Sequence, residues 1–284
     1  DNMLEVIGVL KDQEVYETRL AKQENRPANT YHGVYSTHPQ NDDRLKTVVR
    51  AAKKLSNKKY RDSNQAGYYQ RIDGLVWGAS LKQGVVVNNR FSHPDLAIAL
   101  QLPADWKVDN NPQFLEARDP NSSALIQISV LPREKNESAG AALKRLTGDD
   151  KLDFETTDHG VTTTSNVKAG NGQSQPARIS AIPLGNKLML ILVGTADKKD
   201  FNKADKKLLE TNASFQHLDA AQLAAIRAPR LRIIARNTQS FESLAEQSAL
   251  EYDAVNILRL LNRSFPKGSI GKLDKLKTVT LGDD

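Results

Sequence analysis

The spacing of apolar residues divides the chain into a helical first part, a strand-rich middle part and a short mixed end. In residues 2–23 the apolar side chains recur mostly at helical spacing, at Met3, Val6, Ile7, Leu10, Tyr16 and Leu20. This pattern predicts an amphipathic helix, and Pro27 ends it. A second apolar stripe predicts another helix from about Asp42 to Leu55.

From Gly84 the apolar pattern changes to that of strands. Short β-branched runs between Asp-Pro, Asn-Pro and Leu-Pro turns predict strands at 85–87, 96–102, 114–118, 124–131, 154–157, 161–168, 177–183 and 188–195. Ser138 is the predicted cap of a helix over 138–147, and Asp200 that of a helix over 200–215. Strands at hairpin spacing with two helices predict an α+β domain: one antiparallel sheet with the two helices on one face.

The last segment repeats the mixture on a smaller scale. The pattern predicts a strand at 231–235, helices at 240–247 and 253–261, and a closing strand at 275–280. The predicted organisation is therefore a helical segment at 1–56, a connector at 57–83, an α+β sheet domain at 84–217 and a β-α-α-β module at 218–284. Within the connector, Tyr68, Tyr69 and Trp77 suit either a binding platform or a hydrophobic clasp between domains.

Composition narrows the class of protein. The 284 residues are 39% hydrophobic and 26% charged, and no apolar run approaches the roughly 18 residues of a membrane span. Cysteine is absent, which excludes disulfides, thiol chemistry and cysteine metal sites. The net charge of +6 is spread along the chain and aromatic residues make up only 6%, so no nucleic-acid surface is predicted.

The stretch from Tyr35 to Arg44 is the one place where local chemistry suggests a task. Pro39 fixes its own φ and holds His38 in an extended conformation, and Asp42 is able to cap the following helix. Arg44 then begins a helical face. A helix-capping elbow with an exposed histidine explains the same residues without any function.

Ser36-Thr37-His38-Pro39, followed after four intervening residues by Arg44, resembles a signature of zinc metallopeptidases related to the CAAX prenyl protease (peptidase family M forty-eight), as does the segment Met3 to Lys11. The resemblance implies that His38 and Arg44 border a metal cleft. It also implies a periplasmic or other cell-envelope location and a protein substrate.

The family's zinc motif, His-Glu-x-x-His, occurs nowhere in the chain. We therefore expect the non-catalytic C-terminal region of a zinc-dependent metalloendopeptidase, a hydrolase whose catalytic domain lies elsewhere. The region would shape the cleft rim and position the enzyme on its substrate or the cell wall. This chain itself is expected to hold no metal or cofactor and to cleave nothing, with zinc bound by the parent protein. Its two N-terminal helices would pack on the missing catalytic domain.

The end segment resembles the LysM glycan-binding module. The matches are Ser240-Phe241, Leu244-Ala245 and Leu261-Asn262, with Lys277 to Val279 as the final strand. Thr238-Gln239 stands where such modules carry Gly-Asp, so we expect weak or absent peptidoglycan binding. The alternative function is a non-enzymatic, peptidoglycan-binding adaptor. Separately, the stretch from Phe91 to Trp106 resembles, in fold only, the start of photosystem oxygen-evolving-complex (PsbP/Mog-one-like) domains.

Overall fold

The computed structural model of the chain describes residues 2–23, 28, 47, 50–51, 64–168, 172, 174–238, 240–271 and 273–282, with side chains of the first helix described from residue 8. The chain divides into two units. The module unit comprises Asp1–Leu75 and Pro229–Leu281, and the sheet unit comprises Val76–Ala228 and Gly282–Asp284. This division differs from the predicted one, because the helical first part falls in the same unit as the C-terminal module.

The helices and strands of the described residues run in the following order. The helices are α1 (Asn2–Gln23), α2 (Gln65–Ile72), α3 (Ala139–Thr147), α4 (Lys198–Ala213), α5 (Ala220–Ala224), α6 (Phe241–Glu246) and α7 (Ala254–Leu261). The strands are β1 (Val85–Val87), β2 (Arg90–His93), β3 (Ile98–Gln101), β4 (Lys107–Asn110), β5 (Leu115–Arg118), β6 (Leu125–Pro132), β7 (Glu155–Thr156), β8 (Val161–Lys168), β9 (Ser174–Leu184), β10 (Leu188–Thr195), β11 (Gln216–His217), β12 (Pro229–Ala235) and β13 (Lys275–Leu281).

The described strands of the sheet unit form two antiparallel sheets. One has four strands in the order β1-β2-β3-β11, and the other has seven in the order β4-β5-β6-β10-β9-β8-β7. Strand β10 lies at the centre of the larger sheet, with Leu190 opposite Val130 on β6 and Ile182 on β9. The α+β class is thus confirmed.

Strand β10 is buried on both faces, which accounts for its unbroken apolar sequence. Leu190 and Leu192 belong to a core shared with the smaller sheet and with Leu208 of α4. Because successive side chains of a strand point to opposite faces, Met189 and Ile191 enter a second core that contains Leu143 of α3. The two helices therefore cover opposite faces of the larger sheet, and their predicted placement on one face is corrected.

The two predicted helix caps of the sheet unit have different outcomes. At α3, Ser138 Oγ accepts a hydrogen bond from the backbone N–H of Ala141 at 3.1 Å, as the sequence predicts, and the helix ends at Gly148 with φ 70°. Helix α4 begins earlier than predicted, after an N-cap at Asp197, and Asp200 lies in its first turn. Asp200 is not the cap because the chain is already helical at Lys198.

The module unit has the predicted strand–helix–helix–strand order. Strands β12 and β13 pair antiparallel from Pro229 opposite Leu281 to Ala235 opposite Lys275. Its core is formed by side chains from α6, α7, β13 and the loop before β13, namely Phe241, Leu244, Leu258, Ile270 and Leu276.

The free edge of β12 is covered by the residues that follow α2. Gly74 N–H donates to Leu231 O and Leu231 N–H donates to Leu75 O, both at 2.8 Å. Asp73 Oδ1 accepts the N–H of Ile233 at 2.8 Å. Most of the open hydrogen-bonding edge of the two-stranded sheet is therefore satisfied by part of the predicted connector.

Candidate functional site

The two predicted cleft-rim residues, His38 and Arg44, lie outside the described residues. Their role at a metal cleft stays a prediction. Of the helix predicted from Asp42 to Leu55, the structure describes residues 47, 50 and 51, all three helical. The module unit brings together helix α1, which contains Met3 to Lys11, and the C-terminal β-α-α-β module.

Helix α1 packs on the second helix of the module. The Tyr16 ring meets the Phe265 ring edge-on, with centroids 5.8 Å apart and planes at 87°. Arg19 Nη1 donates to Asn256 Oδ1 on α7 at 3.1 Å, and Leu20 and Ala21 are buried. The second half of α1, predicted to lack a partner without the catalytic domain, thus has one in the module.

Tyr16 is fixed by polar contacts as well as by packing. Burial of the phenol, followed by the nearby Asp253 carboxylate that accepts its hydrogen bond, raises the pKa of Tyr16 above its ordinary value. The phenol therefore stays protonated at physiological pH. Helix α1 is anchored at both an aromatic and a hydrogen-bonded contact.

Asn262, one of the residues that carry the LysM resemblance, has a definable structural task. Its amide donates Nδ2–H to Lys277 O and accepts the Lys277 N–H at Oδ1, each at 2.8 Å. The side chain thus replaces one residue of a neighbouring strand and ties the end of α7 to β13. An asparagine suits this position because only an amide offers a donor and an acceptor side by side.

The two loops that flank the module's helices are linked to each other. The Arg236 N–H donates to Asp274 O at 3.0 Å, and Arg236 Nη1 donates to Gly271 O at 2.5 Å. Thr238 is buried, and Gln239 lies outside the described residues. Since a glycan-binding loop offers its backbone groups to sugar, these internal hydrogen bonds leave fewer groups free for that purpose.

A buried polar network lies in the sheet unit, and sequence reasoning missed it. Arg178 on β9 pairs with Asp205 on α4 through one edge of its guanidinium: Nε donates to Oδ1 and Nη2 donates to Oδ2, the latter at 2.8 Å. Arg178 Nη1 also donates to Thr162 Oγ1 at 3.3 Å, and Asn212 Nδ2 donates to Ser180 Oγ at 2.7 Å. The pair raises the pKa of Arg178, because the hydrogen bonds to Asp205 favour the charged guanidinium. An arginine inside the apolar strand 177–183 was the available signal.

His93 ends strand β2 and is half buried. Its Nδ1 has no hydrogen-bond partner in the part of the chain that the structure describes. Burial lowers the pKa of His93, the nearby Asp95 opposing that change in part. The imidazole is neutral at physiological pH. It meets the Phe91 ring edge-on, with ring centroids 6.2 Å apart.

Metal sites and membrane-spanning helices are both absent from the described ranges. No three His, Asp or Glu side chains come together there as a metal site would need. Among the described helices, none has the length and apolar character needed to cross a membrane.

Comparisons with known proteins assign the chain to no family. No family model matches it, and no curated protein matches it. A solved structure from Bacteroides thetaiotaomicron is similar at 13% identity and a TM-score of 0.36, covering 64% of this chain and 64% of that one. The Ran-binding protein Mog1p of Saccharomyces cerevisiae is similar at 13% identity and a TM-score of 0.32, over 49% of this chain and 99% of that one.

The PsbP protein (CyanoP) of Synechocystis is similar at 11% identity and a TM-score of 0.31, over 49% of this chain and 98% of that one. This chain thus spans 64% of the length of the Bacteroides protein. We draw no conclusion about fold or function from these similarities.

Proposed function

We propose that this chain is the non-catalytic C-terminal region of a cell-envelope zinc metalloendopeptidase, and that its module positions the enzyme on a substrate or on the cell wall. The observation that carries the proposal is the packing of α1 against the module. Helix α1 contains Met3 to Lys11, which resemble the peptidase family, and its other end holds Tyr16 against Phe265.

A positioning role needs a defined connection, and α1 supplies one. A flexible linker would let the module sample many directions, whereas a helix has a fixed rise and a fixed face. The aromatic pair contributes about 0.5–1.5 kcal/mol beyond its buried area, and the hydrogen bond from Arg19 to Asn256 adds about 0.5–1.5 kcal/mol. These contributions are large enough to hold the module on α1 most of the time.

In this proposal the chemistry belongs to the parent enzyme. Zinc would be held by a His-Glu-x-x-His helix that this chain lacks, and His38 and Arg44 would border the cleft. This chain alone would bind no zinc and hydrolyse no casein. Stoichiometric zinc together with hydrolysis that a chelator abolishes would overturn the proposal.

The decisive test starts from the reading frame upstream of Asp1, where a His-Glu-x-x-His motif is expected. In the protein extended to include that motif, Tyr16→Ala should slow cleavage of a large, wall-associated substrate while cleavage of a short peptide stays normal. The matched control is Val15→Ala, since Val15 is the exposed neighbour of Tyr16 on the same helix. An upstream frame without the motif, or equal effects of the two variants, would refute the proposal.

The alternative, a peptidoglycan-binding adaptor without enzymatic function, is favoured by the observed β-α-α-β order of the module. Retention on purified peptidoglycan at moderate salt separates the two functions, since salt suppresses nonspecific attraction of a basic chain. Retention that survives salt and disappears in a chain ending at Ala228 would support the adaptor. Weak or absent retention is the outcome expected from Thr238-Gln239.

A further inference from the structure

Two lysines of β13 lie over two tyrosines of α2, and we call Tyr68, Tyr69, Lys275 and Lys277 the lysine–tyrosine cluster. Lys275 Nζ lies 5.7 Å from the Tyr69 ring centroid, and Lys277 Nζ lies 6.0 Å from the same centroid and 5.8 Å from that of Tyr68. Leu276 between them points the other way, into the core, because side chains alternate along a strand. The two ammonium groups are therefore gathered around one aromatic ring.

Within the part of the chain that the structure describes, the charges of the cluster have no acidic partner. Among the described residues, no carboxylate forms an ion pair with Lys275 or Lys277. Burial lowers the pKa of Lys277, and repulsion from Arg263 lowers it further. A half-buried cation beside other cations is unfavourable unless an anion joins it, and the aromatic rings compensate only in part.

We infer that the lysine–tyrosine cluster is a binding site for a phosphate-bearing ligand. Each ammonium group carries three N–H donors. The two groups together match the several strong acceptor oxygens of a phosphate better than the two oxygens of a carboxylate. A phosphate ester also brings a charge of about −1.5 to −2, close to the charge of the two lysines.

The tyrosines indicate that more than the phosphate is recognised. Tyr68 is 52% exposed, and its ring is tilted by 43° from that of Tyr69 at a centroid distance of 5.9 Å. Gln65 Nε2 donates to the Tyr69 hydroxyl at 3.0 Å, which helps to fix that ring. An exposed ring beside the ammonium groups is placed to pack against the part of the ligand that carries the phosphate, such as a sugar. This site needs neither zinc nor the proposed peptidase function.

The test is a titration of the whole chain followed by amide NMR, at constant ionic strength set with sodium chloride. Inorganic phosphate should shift the amides around residues 275–277 saturably. Lys277→Gln should weaken the binding about tenfold, since a charge-assisted hydrogen bond contributes about that factor. Lys267→Gln is the matched control: it removes an equal charge from an exposed lysine of the same module, and it should leave the affinity unchanged.

Two further probes separate the sources of phosphate: a hexose phosphate and vesicles of phosphatidylglycerol in phosphatidylcholine. Binding of either probe that depends on Lys277 supports the site and identifies its source. Tyr68→Ala should weaken the hexose phosphate more than inorganic phosphate. Equal affinity in Lys277→Gln and the unchanged chain, or equal losses in Lys277→Gln and Lys267→Gln, would overturn the inference. Melting temperatures of all variants guard against a loss of folding.

Discussion

The buried ion pair between Arg178 and Asp205 gives the most quantitative prediction. The Arg178 side chain is 9% exposed and that of Asp205 is 21% exposed. Replacing Asp205 by Asn removes the negative charge and leaves the guanidinium buried against Thr162. Breaking such a pair from one side is costly because the remaining charge has lost both water and its partner.

The magnitude follows from what the substitution leaves behind. Loss of one partner of a fully buried pair costs about 3–5 kcal/mol. Asn keeps one acceptor oxygen for the guanidinium, and the site is partly open to water, so we expect a loss of about 2–3 kcal/mol. For a unit of this size the melting temperature should fall by about 5–10 °C. Arg178→Met should cost less, since the exposed fraction of Asp205 allows its carboxylate to be hydrated.

Tryptophan fluorescence provides the assay. The two tryptophans of the chain, Trp77 and Trp106, both lie in the sheet unit, so their emission reports that unit during urea unfolding. Combining Arg178→Met with Asp205→Asn closes a double-mutant cycle, and the double variant should be more stable than Asp205→Asn alone. Glu210→Gln, an exposed carboxylate on the same helix, is the control and should stay within about 0.5 kcal/mol. A loss below about 1 kcal/mol for Asp205→Asn, or simple additivity in the cycle, would refute this reasoning.

Three further predictions concern other contacts. Hydrogen bonds from Arg145 hold the pKa of Glu137 below its ordinary value of 4.5. They therefore stabilise the native state fully above pH 4.5, and this stabilisation is lost as the pH falls through the lower native pKa. Glu137→Gln should flatten this acid dependence of the free energy of unfolding, measured with urea. Gly194→Ala should cost about 1–3 kcal/mol by the same fluorescence assay, because an added Cβ would lie 2.3 Å from the Leu208 side chain. Phe241→Ala should cost the module unit about 3–5 kcal/mol, measured by circular dichroism, since Phe241 is 1% exposed; a loss under about 1 kcal/mol would contradict its place in that core.

Local signals in the sequence were sufficient for much of the fold. The Ser138 cap, the Gly148 end of α3 and the alternating run of β13 each follow from a few adjacent residues, so each was predictable. The β-α-α-β order likewise follows from the change of apolar period near Arg230. The side of the sheet on which each helix lies was not predictable, because residues 188–193 are apolar at every position and specify no face.

Contacts between distant segments lay beyond the sequence pattern. Residues 73–75 could not be predicted as a partner for the edge of β12, since two of these hydrogen bonds join backbone groups and an aspartate such as Asp73 is equally common in turns. The packing of Tyr16 on Phe265 is equally non-local, because any exposed aromatic could have received that helix. The predicted cleft residues His38 and Arg44 lie outside the described residues, so their place at a cleft stays a prediction.

The treatment of charge differs between the two units and indicates where to look for a ligand. In the sheet unit, the deeply buried Arg178 is matched by Asp205, and Glu137 is matched by Arg145. Such pairs stabilise the native state and leave no charge for a partner. In the module unit, the Lys-Leu-Lys alternation of β13 places Lys275 and Lys277 on one face, which the sequence alone predicts. The tyrosines beneath them come from α2, some two hundred residues away, and no described carboxylate pairs with either lysine. Because a fold selected for stability alone would gain from a counter-ion at that place, the missing carboxylate favours a site kept open for an external anion.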